Sequence, residues 1–211
     1  MHKFLIFCAL LFSYLNLSAF EGNIQITRQS HYDTTYLIFY FKDTKVRIDE
    51  FTESGILNKT LLVDLKTENI VALSPTLKLY ADITRKESRT APTQQFEVIK
   101  TNNFKLIEGK KCYQWRVRNR ILESEITYWV MESDNLVMQK LYYILNATEN
   151  YSSIPSFFMH IPETEGYIPV LAVERNLVRE EKQSIHITSI NERQVPARLF
   201  EIPKDYKNRK I

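Results

Sequence analysis

The chain has 211 residues, a formal net charge of +3 and 44% hydrophobic residues. A charge so near neutral argues against a nucleic-acid surface, which needs a dense basic face. The length suits one sizeable core rather than two independent domains.

Residues 1–19, MHKFLIFCALLFSYLNLSA, combine Lys3, an apolar run and the small-residue exit Ser18-Ala19. That is the pattern of a Sec-type signal peptide cut after Ala19. The run from Phe4 is short for a membrane span of about 20 apolar residues, so no transmembrane segment is expected after cleavage. Cys8 lies inside the apolar run rather than behind a cleavage box, and is expected to be discarded with it. The sequence thus predicts a periplasmic or secreted domain over residues 20–211. Cys112 is its one cysteine, so no internal disulfide staples it and packing alone must hold it together.

Glycines and prolines are few, at 4 and 7, and the recurring apolar period is two, which predicts strands. TYLIFYFK (residues 35–42) is apolar on both faces and reads as a central strand. In KVRIDE, Lys45, Arg47 and Asp49 alternate with Val46 and Ile48, so one face is expected to be wet. NKTLLVDLK and TLKLYADI alternate in the same way. RKESRTAPTQQ (residues 85–95) is polar and contains Pro92, which suits a linker or a short helix. EGKKCYQWRVRNR places Tyr113, Trp115 and Val117 on one strand face and Cys112, Gln114, Arg116 and Arg118 on a more polar one. EITYWVMESDNLVMQKLYYIL reads as a hairpin around Ser133-Asp134-Asn135. Its second half has a helical alternative, because Val137, Leu141 and Ile144 share a helix face; Tyr142, Tyr143 and Ile144 favour a strand. Residues 146–169 read as a long, proline-bearing loop with room for a helical turn over the sheet edge, a length usually reserved for function or mobility. VLAVERNLV and QSIHITSINE form a last hairpin around the charged turn REEK. The sum is a mainly β (α+β) antiparallel sheet with few helices.

Reactive chemistry is scarce. His31, His160 and His186 stand apart, whereas a metal site needs clustered donors. Four glycines, Gly22, Gly55, Gly109 and Gly166, supply neither a nucleophile elbow nor a phosphate-cradling loop. Cys112 has no second cysteine or histidine near it in sequence, so a structural thiol is expected. The tail KDYKNRK reads as a frayed terminus. No catalytic residue, metal ligand or cofactor is expected. What remains is large apolar side chains. Leu37, Phe39, Phe41, Trp115 and Trp129 are the candidate lining of an apolar cavity inside a curved sheet.

Several short segments, FEGNIQI, KVRIDE, LLVDLKT, EGKKCYQW, ITYWV and ARLFEIPKDYK, resemble in their order a family of exported bacterial proteins of the DUF4412 type, from Phe20 to about Lys207. That family is similar in fold to the lipoprotein carriers LolA and LolB. The resemblance implies an open half-barrel around one or a few short helices, an envelope location and a lipid or acylated protein as partner, and it implies no catalytic residues. Unlike LolB, the chain has no lipid-attachment cysteine. Two functions stay open: a carrier whose sheet encloses more apolar volume than its helices fill, with residues 146–169 as a movable cover, or a filled envelope module that docks another protein.

Overall fold

The segments with period two fold as strands, and all of them join one sheet. The structure, a computed structural model, describes residues 20–83, 96–133, 136–146 and 153–209. The expected signal peptide, the polar segment 85–95 and the centre of the turn at Ser133-Asp134-Asn135 lie outside the described residues. In chain order the strands are β1 (Gly22–Ser30), β2 (Thr34–Lys42), β3 (Lys45–Phe51), β4 (Leu57–Asp64), β5 (Ile70–Ser74), β6 (Leu79–Asp82), β7 (Phe96–Ile107), β8 (Lys110–Asn119), β9 (Ser124–Glu132), β10 (Tyr167–Asn176), β11 (Glu181–Glu192) and the short β12 (Lys207–Asn208). Their spatial order is β12-β6-β5-β4-β3-β2-β1-β11-β10-β9-β8-β7. Two meanders, β1 to β6 and β7 to β11, are thus joined where β1 pairs with β11. β12 and β7 lie at opposite ends of that order and do not meet, so the sheet is an open half-barrel.

Register sorts the side chains onto two faces. On one of them Val63, Val46 and Phe41 stand side by side, as do Leu61, Ile48, Phe39 and Ile24. Further along the same face Trp115, Tyr128, Ala172 and Ile185 line up across β8 to β11. Gly22 lets β1 close on β11, because a Cβ there would come within 2.1 Å of the Asn191 carbonyl oxygen.

Two helices, α1 (Leu136–Asn146) and α2 (Ser153–Phe158), interrupt the chain between the neighbouring strands β9 and β10. They lie on the face that carries Tyr128, named the inner face below. The expected second hairpin strand is therefore corrected to a helix. The buried residues Met138, Leu141, Tyr142 and Leu145 recur at three, four and seven positions, one stripe of a helix, and leave Tyr143 exposed. Strand propensity at Tyr142 and Tyr143 is a weak preference, and packing of that stripe on the sheet overrides it. α2 tolerates Pro155 because the first turn of a helix has no partner for the missing N–H. Its residues Ile154, Pro155, Phe157 and Phe158 are buried.

The opposite face is covered over β3 by the C-terminal arm, which ends as a strand added at the β6 edge. The expected wet face of β3 is corrected accordingly: Arg47 pairs with Asp49 at 2.9 Å and donates to the Leu199 carbonyl at 2.9 Å, while Thr60 donates to Asp49 at 2.6 Å. The tail is not frayed up to Arg209. Lys207 N–H donates to the Lys78 carbonyl at 2.9 Å, Arg209 N–H to the Tyr80 carbonyl at 2.8 Å, and Lys78 pairs with Asp205 at 2.9 Å.

Candidate functional site: the helix-covered inner face

Strand β2 places Leu37, Phe39 and Phe41 together on the inner face, opposite Ile26, Ile24 and Gly22 of β1 and Glu50, Ile48 and Val46 of β3. Phe39 and Phe41 are 2% and 1% exposed, their ring centroids 6.4 Å apart, and Phe20 meets Phe41 edge-on at 5.4 Å. Trp115 shares this face but lies on β8, with four strands between it and β2. It packs on Tyr167, with centroids 4.9 Å apart, under the ammonium of Lys100, 4.6 Å from the ring centre. The structure therefore assigns Leu37, Phe39, Phe41 and Trp115 to one face in two groups.

Trp129 belongs to the other face. Its neighbour Tyr128 pairs with Trp115, and adjacent residues of a strand point opposite ways. Trp129 stands beside Gln114 and Leu171, with the Lys105 ammonium 4.2 Å from its ring centre. The set of five is corrected to four inner residues plus one outer.

The residue that sequence reasoning missed is Tyr128. It is fully buried, and its hydroxyl donates to the Ile154 carbonyl of α2 at 2.6 Å. Its ring meets Phe158 at 5.3 Å. Burial pushes the phenol well above its usual range, so it stays a neutral donor. A second tie is made by Glu174 on β10, 5% exposed. It accepts from Ser124 Oγ at 2.5 Å, Gln183 Nε2 at 2.6 Å and Ser153 Oγ at the start of α2. Burial pushes this carboxyl up, but the hydrogen bonds from Ser124, Ser153 and Gln183, with Lys182 nearby, outweigh it and hold the pKa below the ordinary 4.5. Further ties join Gln139 of α1 to the Thr164 carbonyl and Lys140 to Glu68. At the end of the helical segment Phe96 of β7 meets Phe157 edge-on at 5.0 Å and stacks flat on His160 at 3.8 Å.

The apolar side chains of both helices thus pack on the inner face as part of one buried core with the sheet. A cleft of about 530 Å³ opens beyond Leu37, among Thr35 and its strand-end neighbours Asp33, Glu50, Thr52, Glu53 and Asn58, and three of these side chains are acidic. Cys112 is also corrected: it does face away from Tyr113, yet it is fully buried rather than on a wetted face. Burial raises its thiol pKa, which keeps it protonated and unreactive. Among the described residues, no three or more His, Cys, Asp or Glu side chains gather where they could hold a metal ion. None of the described helices is long and apolar enough to cross a membrane.

One solved structure supports the architecture, and two others are similar more loosely. An uncharacterised conserved protein of Thermus thermophilus matches with a TM-score of 0.54 at 7% identity, over 89% of this chain and 90% of that one. A putative outer membrane lipoprotein-sorting protein domain of Vibrio parahaemolyticus matches with a TM-score of 0.30 at 8% identity, over 81% and 83% of the two chains. A DUF1329 family protein of Desulfovibrio piger matches with a TM-score of 0.38 at 9% identity, over 87% and 90%. No protein of curated function is significantly similar to the chain in sequence. The family model "Domain of unknown function (DUF4412)" matches residues 20–206, so the chain belongs to the DUF4412 family.

Proposed function

We propose that this protein is an exported, non-catalytic carrier of the cell envelope that binds a hydrophobic ligand, a lipid or the acyl chain of a lipoprotein, against the inner face of the half-barrel. The observation that carries this reading is a broad apolar sheet face covered by a helical segment with only a few polar ties to it. The ligand takes the place of part of that cover on the Trp115 side, where α2 meets β7, β9 and β10, and extends from there toward Leu37, Phe39 and Phe41. Magnitudes decide how much of the cover moves. Exposing Ile154, Phe157, Phe158 and Ile161 costs about 1.5–3 kcal/mol each, roughly 6–12 in all, and a dozen buried methylenes at about 0.8 kcal/mol each return about 10. Exposing the α1 stripe as well roughly doubles the cost, beyond what one acyl chain offsets. α2 is therefore the part that leaves, and α1 stays.

Lipid extraction and native mass spectrometry of the purified protein test this, together with titration of a fluorescent fatty acid. Co-purified lipid or saturable probe binding is expected, strengthened by Ser153→Ala, which loosens α2. Absence of both would end the carrier reading.

A second reading, a filled module that docks a protein partner of the envelope, is favoured by the depth of packing. Phe39, Phe41, Tyr128 and Phe158 are all 2% exposed or less. It predicts no ligand under any condition and an interior that stays shut when α2 is loosened.

A further inference from the structure

We propose that the tip of the β7–β8 hairpin docks the protein on a membrane surface bearing anionic lipid. The hairpin closes through Glu108 and Gly109, both at positive φ (49° and 73°), a two-residue turn whose twist suits the strands. β9 pairs with β8 from Tyr113 onward, not with Lys110, Lys111 or Cys112. The last three residue pairs of the hairpin, Lys105 with Cys112, Leu106 with Lys111 and Ile107 with Lys110, lie beyond the last β8–β9 pair, with Cys112 still buried and Lys110, Lys111 and Leu106 exposed at the end of the sheet.

The composition of the hairpin tip is that of an interfacial anchor. Phe104 and Leu106 are 58% and 69% exposed and share one face. Residues 104–112 hold Lys105, Lys110 and Lys111 against the single acid Glu108. The lysines lie along aromatic rings: the Lys111 ammonium is 4.6 Å from the centre of Phe104 and 4.9 Å from that of Tyr113, and Lys105 covers Trp129. Such side chains bury their stems while the charge stays at headgroup level. The excess of positive charge around exposed apolar groups complements an anionic, apolar-cored surface.

Two other turns with exposed apolar residues differ in charge. Ile121 and Leu122 lie between Arg120 and Glu123, and Leu177 and Val178 precede Arg179 and Glu180, so their charges cancel. Those turns sit at the other end of the strands, where Asn119 pairs with Ser124. Docking through the hairpin stands whether or not the interior takes a ligand, because its readout is vesicle binding rather than probe uptake.

The test is flotation of the purified protein with vesicles of phosphatidylethanolamine containing roughly a third phosphatidylglycerol, against purely zwitterionic vesicles. Partitioning is expected on the anionic vesicles and is expected to fall with salt. The triple variant Lys105→Gln, Lys110→Gln, Lys111→Gln is expected to lose it by about 100-fold, at roughly fivefold per lysine. Phe104→Ser with Leu106→Ser should weaken it too. Unchanged circular dichroism would show that these exposed substitutions leave the fold intact. Absence of binding, equal binding to both vesicles, or wild-type binding by the hairpin variants would overturn the proposal. So would loss of binding on Leu122→Ser with Val178→Ser instead.

Discussion

The two faces of the sheet are covered in different ways. On the inner face α1 and α2 bury Met138, Leu141, Tyr142, Ile144, Leu145, Ile154, Phe157 and Phe158, so they are part of the core itself. On the opposite face the C-terminal arm crosses β3 with a 3-10 turn, Ala197–Phe200, that has no buried residue. It is held by Arg47, by the pairing of β12 with β6 and by Lys78 with Asp205. One cover is apolar with a few polar pins; the other is a polar clasp. An apolar cover can be exchanged for an apolar ligand at little net cost, whereas a clasp of specific hydrogen bonds has no such substitute. The inner cover is therefore the one suited to ligand exchange.

The largest expected effect is in the inner cover. Phe158 is 1% exposed and touches Tyr128 and Tyr142. Phe158→Ala should destabilise by about 3–5 kcal/mol, the usual cost of removing a buried ring, read as a lower urea midpoint. A loss under about 1 kcal/mol would mean that α2 is already loose, and would blur the distinction between the covers.

Arg47→Ala tests the clasp. The side chains of Arg47 and Asp49 are 15% and 9% exposed, and removing the guanidinium leaves Asp49 held by the Thr60 hydroxyl. A loss of about 2–3 kcal/mol is expected for a stranded, largely buried carboxylate. Limited proteolysis should then cut the arm after Val195 first. Cutting in the helical segment instead would show that the arm does not depend on this residue.

Tyr128→Phe isolates one pin of the inner cover. It keeps the ring and removes only the bond to Ile154, so about 1–2 kcal/mol is expected. The same change should increase uptake of a fatty-acid probe if α2 must move. A stability loss with unaltered uptake would separate the pin's structural role from any gating.

How much of this was legible in the sequence depended on whether one face of a segment was polar. KVRIDE and EGKKCYQWRVRN alternate clearly, and their strands and inward residues, Val46, Ile48, Trp115 and Val117, were readable directly. EITYWVM is apolar on both faces near its end, so either Tyr128 or Trp129 could lead inward. The phase was nevertheless present upstream: Glu125 and Thr127 share Trp129's face, Ser124 and Ile126 share Tyr128's, and extending that alternation selects Tyr128. The polar residues Arg47 and Asp49 marked a face correctly but not its surroundings, because the arm that covers them lies 152 positions on at Leu199. Period and propensity are local quantities, and contact at that separation leaves no trace in them. The helix α1 was ranked behind a strand for a related reason: Tyr142 and Tyr143 carry a strand preference in themselves, and only the sheet beneath makes the helical spacing that was also visible decisive.

The smallest expected effect separates the covers by pH. His160 ends the helical segment, half-buried against Phe96, and burial lowers its pKa from 6.5. The unfolded chain therefore binds this proton at a higher pH than the folded one, and stability rises with pH across the window between the two values. His160's contribution is whole above pH 6.5 and is lost as pH falls through the lower folded value. In the clasp, Lys78 lowers the pKa of Asp205 from 3.8, so that contribution is whole above 3.8 and is lost only in stronger acid. Mild acid should thus loosen the inner cover while the arm holds. His160→Phe keeps the stack and removes the proton site, so urea midpoints at pH 7.5 and 5.5 should differ less in the variant than in the parent chain. Equal slopes in both proteins would mean that His160 does not couple the inner cover to pH, and the asymmetry between the covers would then rest on packing alone.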